Sequence, residues 1–241
     1  MQEKDSSFHF TYKNLAAQLS ASIQEGYSFI RCKDNLVEKE NLSPLTMVMR
    51  VDIDNSCKKA DKLIDIFHQL GIKATFFIRL HASEYNPFSF ENYRIIKRMI
   101  DEGHEIGYHS EIVDQAAIWQ EDTEEVLKRD INVLNSMFNI EIEGAASHGG
   151  STGLNNLDFF RGVDPKKYGL KYEAYDETED FGLFNNSFYI SDAEWVRWKC
   201  YENGNLDEGN HMTLGEHVKL RRPLIYFLIH SDTYFDDHIY E

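Results

Sequence analysis

The 241-residue chain is poor in cysteine, proline and glycine, with 3, 4 and 14 of each. Cys32, Cys57 and Cys200 lie far apart without CxxC spacing, which excludes a disulfide framework and a zinc knuckle. So little proline and glycine excludes collagen and leaves no low-complexity linker to mark a domain boundary. No run approaches the ~18–20 apolar residues of a membrane helix. The start, MQEKDSSFHF, lacks a basic segment followed by an apolar one, so no signal peptide is expected and a cytoplasmic address is predicted. Basic residues are also short, 25 against 41 acidic ones, for a net charge of −16. That balance disfavours nucleic acid and anionic membrane as partners, because both draw their non-specific affinity from basic patches.

What is present reads as one ordered domain spanning residues 1–241, with 42% hydrophobic and 13% aromatic residues. Apolar positions Tyr12, Leu15, Ala16, Leu19 and Ile23 follow helical spacing, and residues 1–45 form an N-terminal extension packed on the main domain. Thr46 to Val51 predicts a strand. Asn55 or Ser56 then caps a helix carrying Ala60, Leu63, Ile64, Phe67 and Leu70, which Gly71 ends. Further strands are expected over Ile72–Ile78, His104–Ser110, Ile142–Ser147, Phe188–Ile190 and Leu224–Ile229. Helices are expected after Ser89 and over Thr123–Phe138. Alternating strands and helices predict parallel βα units, in a small irregular barrel or an open sheet. Either gathers reactive groups at the carboxyl ends of its strands.

Those ends carry Asp52 and Asp54, His109, His148, Asp192 and His230. Carboxylate and imidazole together suit Zn²⁺ or another first-row divalent ion with one position open to water. Such an ion supports amide or ester hydrolysis. Taken singly, each residue also has a plain reading: Asp52 or Asp54 as a helix cap, each histidine as a hydrogen-bonded structural group. Their recurrence at successive strand ends favours a site. His9, His68, His81, His104, His211, His217 and His238 show no such placement and read as structural or surface residues.

The segments VDIDNS, GIKATFFI, GHEIGYHSE, SHGG, YISDAEWVRW and LIHSD, in that order from Met47 to Asp232, resemble the motifs of the polysaccharide deacetylase (NodB-like) carbohydrate esterases. The similarity is to the branch with a D-x-D first motif. It implies an α/β fold, a distorted (β/α) barrel with fewer than eight strands. It also implies a divalent metal cofactor, Zn²⁺ or else Co²⁺, Ni²⁺ or Mn²⁺. By the same resemblance Asp52 is the catalytic base and Asp54 a metal ligand, with Ile53 between them leaving the reverse order open. His109 matches the first ligand histidine of the family. The second is replaced by Asp114, so either Asp114 or His148 is the third ligand beside Asp54 and His109. The family's base-orienting arginine is absent from its usual motif, and Arg50 is a candidate to replace it. Asp192 and His230 match the orienting aspartate and the general acid. Ser147, Gly149 and Trp195 are candidate substrate-binding residues, Trp198 being the alternative tryptophan.

The implied function is metal-dependent removal of an acetyl or formyl group from an N-acyl amino sugar in surface-glycan biosynthesis. The substrate would be a carbohydrate, nucleotide-linked or lipid-linked in the cytoplasm. The alternative is a catalytically idle deacetylase fold that binds a glycan or a protein.

Overall fold

The computed structural model describes residues 10–38 and 41–237; His9 and His238 lie outside them. Seven parallel strands form a curved array in the order β6 (Tyr172–Glu173), β5 (Gly144–Ser147), β4 (Glu105–Ser110), β3 (Thr75–Ile78), β2 (Thr46–Ile53), β10 (Leu224–His230) and β7 (Phe188–Ser191). Antiparallel β8 (Lys199–Glu202) and β9 (Asn205–Leu206) continue beyond β7, and β1 (Ser28–Ile30) pairs with the first residues of β2. This is the distorted (β/α) barrel, open between β6 and β7.

Alternation along the strands separates an interior from an outer core. Val48, Phe77, Ala146, Tyr172, Tyr189, Tyr226 and Leu228 pack inside the curve. Met47, Met49, Val51, Phe76, Ile225 and Phe227 face the helices. Small residues on β4 and β5 make room for the interior rings: a Cβ on Gly107 would stand 2.3 Å from Phe77, and one on Gly144 would stand 2.0 Å from Tyr172. The outer layer is α3 (Cys57–Leu70), α4 (Phe90–Asp101) and α6 (Thr123–Phe138), each laying its apolar stripe on the sheet. Ser56, Ser89 and Asp122 cap these helices, and left-handed Gly71 ends α3.

The N-terminal extension contributes at the end of the barrel opposite the strand carboxyl ends. Helix α2 (Cys32–Glu38) places its first backbone N–H groups on Thr75 and Glu105, at the starts of β3 and β4. Glu105 also accepts from Thr75 at 2.6 Å and from Tyr172 at 2.8 Å. Helix α1 (Tyr12–Gln24) packs on α3 and on α7 (Leu214–Lys219).

His217 on α7 is fully buried, 3.4 Å from Cys200 Sγ, and burial pushes its imidazole down to about 4. The unfolded chain therefore takes up this proton near pH 6.5 and the folded chain only near 4, so the stability is complete above the first value and lost as pH falls to the second. Between these values the wild-type protein is expected to lose about 3 kcal/mol more than His217→Phe, measured by urea unfolding. Equal losses in the two proteins would refute it.

Candidate active site

Parallel register aligns the carboxyl ends of the strands, and the barrel brings together residues up to 178 positions apart, Asp52 and His230, as register partners on β2 and β10. Asp52 lies inside β2 rather than after it, because that strand runs on to Ile53 instead of ending at Val51. Its carboxylate accepts from Arg50 Nε at 2.8 Å and Nη2 at 2.7 Å, two residues earlier on the same interior face. Arg50 in turn lies 5.2 Å from the Phe77 ring centre and 4.9 Å from that of Tyr175, and it donates to the Tyr226 hydroxyl at 3.3 Å. Burial would raise the Asp52 carboxyl, but Arg50 and then His109 hold it below the usual carboxylate range.

Asp54 is the meeting point. His109 Nε2 stands 3.1 Å from its Oδ1, His148 Nε2 3.9 Å from the same oxygen, and His230 Nε2 3.8 Å from its Oδ2. Against the cost of burial, the three imidazoles, His109 foremost, hold Asp54 well below the carboxylate range. His109 donates Nδ1–H to the Ala146 carbonyl at 2.8 Å, which turns Nε2 toward Asp54 and toward Asp52 Oδ2 at 3.4 Å. In the neutral tautomer, lone pairs face each other there, an arrangement that a shared proton or a cation resolves. Burial, and next His109, pushes the His148 imidazole down and keeps it neutral, as a ligand must be. Its buried Nδ1 has no hydrogen-bond partner. Among the described residues no three such donors form a closed cage. Asp54, His109 and His148 nevertheless match a divalent ion in chemistry: one carboxylate, two imidazoles and facing lone pairs.

Asp114 is placed elsewhere. On α5 (Ile112–Trp119) its carboxylate accepts from Ser151 N, Thr152 N, Thr152 Oγ1 and Asn156 Nδ2 at 2.6–2.9 Å, so it braces the loop after β5. Of the two candidates for third ligand, only His148 reaches the Asp54 group.

Asp192 follows β7 and is fully buried. Its Oδ1 lies 2.6 Å from His230 Nδ1, and both oxygens accept the His230 backbone N–H, at 3.1 and 3.0 Å. Burial would push the His230 imidazole down, but Asp192 overrides it and raises it to about 9.

Two residues escaped the sequence reading. Arg79, one position beyond β3, donates to the Asp54 carbonyl at 2.8 Å and to Glu111 Oε1 at 2.7 Å. Glu111, one position beyond β4, places that oxygen 3.5 Å from His148 Nδ1. The strand-end rule that selects His109 would have reached both if carried one residue past each strand.

The candidate substrate residues separate. Ser147 lies beside His148, its backbone N–H on Glu173 Oε1 at 2.9 Å, and Gly149 is exposed with open space around it. A cavity of about 910 Å³ is lined in part by Glu173, Tyr175, Tyr189 and Ser191. Trp195 does not line it; it is 42% exposed, on a turn with φ of +63°. Trp198 is buried against Phe10 and Phe227 as a packing residue.

Residues 47–152 match a family model described as polysaccharide deacetylase. That stretch carries the polysaccharide deacetylase signature. It includes Asp52, Asp54, His109 and His148, while Asp192 and His230 come from beyond it. Similar solved structures include the Streptococcus pyogenes deacetylase PplD in complex with acetate, at 16% identity over 56% of this chain and 61% of that one, with a TM-score of 0.45. IcaB from Ammonifex degensii is 16% identical over 66% and 73%, with a TM-score of 0.48. The chitin deacetylase from the fungal pathogen Colletotrichum lindemuthianum is 14% identical over 75% and 84%, with a TM-score of 0.41. The chain spans about three fifths of the first of these. No curated relative matches it significantly.

Proposed function

We propose that this polysaccharide-deacetylase-like protein removes an acetyl or formyl group from an N-acyl amino sugar by metal-assisted hydrolysis of the amide. One observation carries the reading: imidazoles from β4, β10 and the end of β5 all turn Nε2 toward the Asp54 carboxylate, within 3.9 Å. Asp54, His109 and His148 would hold a divalent cation, Zn²⁺ first among candidates, which supplies Lewis-acid polarisation of the acyl oxygen and an acidified water.

The chain's own residues do the rest. Asp52, ionised and locked by Arg50, accepts a proton from the attacking water. His230 keeps its proton near neutral pH because Asp192 raises it, and it delivers that proton to the departing nitrogen. Asp192 accepts from Nδ1–H and so leaves Nε2–H to face the reacting groups. Arg79 clamps the Asp54 backbone, and Glu111 places its charge 3.5 Å behind His148 Nδ1.

The direct test is release of free amine from N-acetylglucosamine oligomers by the purified protein with Zn²⁺, Co²⁺ or Ni²⁺. Release is expected, lost on chelation and restored by the ion. No release with any of the three would favour the idle, glycan-binding alternative. Glu111→Gln keeps the shape of the side chain and removes the charge behind His148. It is expected to weaken Zn²⁺ binding by about 10- to 100-fold in calorimetric titration, and to lower the thermal midpoint, because Arg79 loses the charge of its buried partner. Unaltered affinity would remove Glu111 from the site.

A further inference from the structure

Glu173 is a buried carboxylate that the proposed reaction does not use, 1% exposed at the end of β6. Burial pushes its carboxyl up, so ionising it there is costly. Each of its oxygens nevertheless takes a backbone N–H: Ser147 donates to Oε1 at 2.9 Å and Tyr175 to Oε2 at 2.7 Å.

The ladder explains the first of these bonds. β6 pairs with β5 only through Gly144↔Tyr172 and Ala145↔Glu173, and Ala174 N then donates to the Ala145 carbonyl at 2.8 Å. Continued as a parallel ladder, the next rung would carry Ser147 N to the Ala174 carbonyl. The chain instead turns back, Asp176 N donating to the Glu173 carbonyl at 2.9 Å, and the Glu173 side chain takes the Ser147 N–H in place of that rung. His148 follows immediately, its own N–H on the Ser110 carbonyl of β4 at 2.9 Å. The segment that carries His148 is therefore held by backbone on the β4 side and by one side chain on the β6 side.

The second bond leads to the base. Tyr175, whose N–H Glu173 fixes, lays its ring 4.9 Å from the Arg50 guanidinium, and Arg50 makes both hydrogen bonds to Asp52. We propose that Glu173 is a positioning residue for this site: it holds His148 through Ser147, and the Arg50–Asp52 pair through Tyr175, where β6 stops pairing. What it positions rests on the metal-assisted deacylase reading above.

A second buried carboxylate separates positioning from plain packing. Glu105, at the opposite end of the barrel, is 4% exposed and accepts from Lys33 N, Thr75 Oγ1 and the Tyr172 hydroxyl at 2.6–3.1 Å, with no bond to a site residue. Glu173→Gln keeps the shape of the side chain, but its amide nitrogen cannot accept, so one of the two N–H groups is released. It is expected to weaken Zn²⁺ binding by about 10- to 100-fold in calorimetric titration, whereas Glu105→Gln should keep wild-type affinity although its thermal midpoint also falls. In metal-free protein, diethyl pyrocarbonate should acylate His148, located by mass spectrometry, at least about threefold faster in Glu173→Gln, because the segment opens more often without this anchor. Glu173→Asp, which keeps the charge but withdraws the oxygens by one methylene, is expected to match Glu173→Gln and carries the test if that variant does not fold. Wild-type acylation of His148 in the Glu173 variants, or the same losses in Glu105→Gln, would overturn the assignment. A wild-type protein that binds no Zn²⁺ and releases no amine would sink the deacylase reading, while faster acylation of His148 in the variants would still uphold Glu173 as its positioning residue. Amine release by the wild type with unchanged acylation in the variants would do the reverse.

Discussion

Arg50→Met is expected to destabilise the protein by about 3–5 kcal/mol, because it strips the buried Asp52 carboxylate of both its guanidinium hydrogen bonds. Arg50 is 1% exposed and Asp52 2%, and their two hydrogen bonds, at 2.8 and 2.7 Å, are the shortest contacts either makes. Water cannot replace the lost guanidinium there. The single variant, measured by urea unfolding near neutral pH, should therefore show the full cost of a broken buried pair. Arg50→Met combined with Asp52→Leu removes both charges and should recover most of the stability, since two apolar groups of similar volume are tolerated where one lone charge is not. The double variant should remain inactive, as it lacks the proposed base. A single variant within about 1 kcal/mol of wild type would show that the ion pair contributes little beyond its own desolvation.

His230→Gln is expected to lower kcat on an N-acetylated oligosaccharide by about 10²- to 10⁴-fold, the contribution of a positioned proton donor. Asp192 keeps the residue-230 backbone N–H as a partner, so the fold around it should survive. The loss should depend on the leaving group. An amine must be protonated to depart, whereas 4-nitrophenolate leaves unaided, so activity on 4-nitrophenyl acetate should fall far less. With His230 raised to about 9 by Asp192, the wild-type enzyme should keep its acid protonated through neutral pH and lose rate above about 9; the variant should lack that alkaline limb. Equal losses on amide and ester would mean that His230 serves some step other than protonation.

These two residues also show what can be read from a sequence and what cannot. The motif around His230 is legible because it closes a run of apolar, β-branched and aromatic residues, Leu224 to Ile229, that only a buried strand accommodates. Arg50 is different. A charged pair within eight consecutively buried residues of β2 contradicts strand patterning, and the reading accordingly ended the strand at Val51. The pair is tolerated because interior aromatic rings cover the guanidinium and the carboxylate meets it with both oxygens. Asp114 shows the converse limit. Spacing placed it at the position of a lost ligand, but orientation on α5 commits its carboxylate to the backbone of residues 151 and 152. Strands of two residues, β6 and β9, carry too few positions for any periodicity to register, and with β6 went the recognition of Glu173 and the cavity beside it.

Sequence alone was sufficient for the alternation of strands and helices, the placement of Asp52, Asp54, His109, His148, Asp192 and His230 near strand ends, and the motif order that resembles the deacetylases. Each of these depends on local chemistry along the chain: hydrophobic period, capping residues and spacing. Only the folded barrel decided which side chains face one another. It placed His148 and not Asp114 beside Asp54, paired Arg50 with Asp52, set Glu111 behind His148, and left the gap between β6 and β7 open. Those outcomes depend on register and on side-chain direction between segments far apart in the chain, which no local pattern encodes.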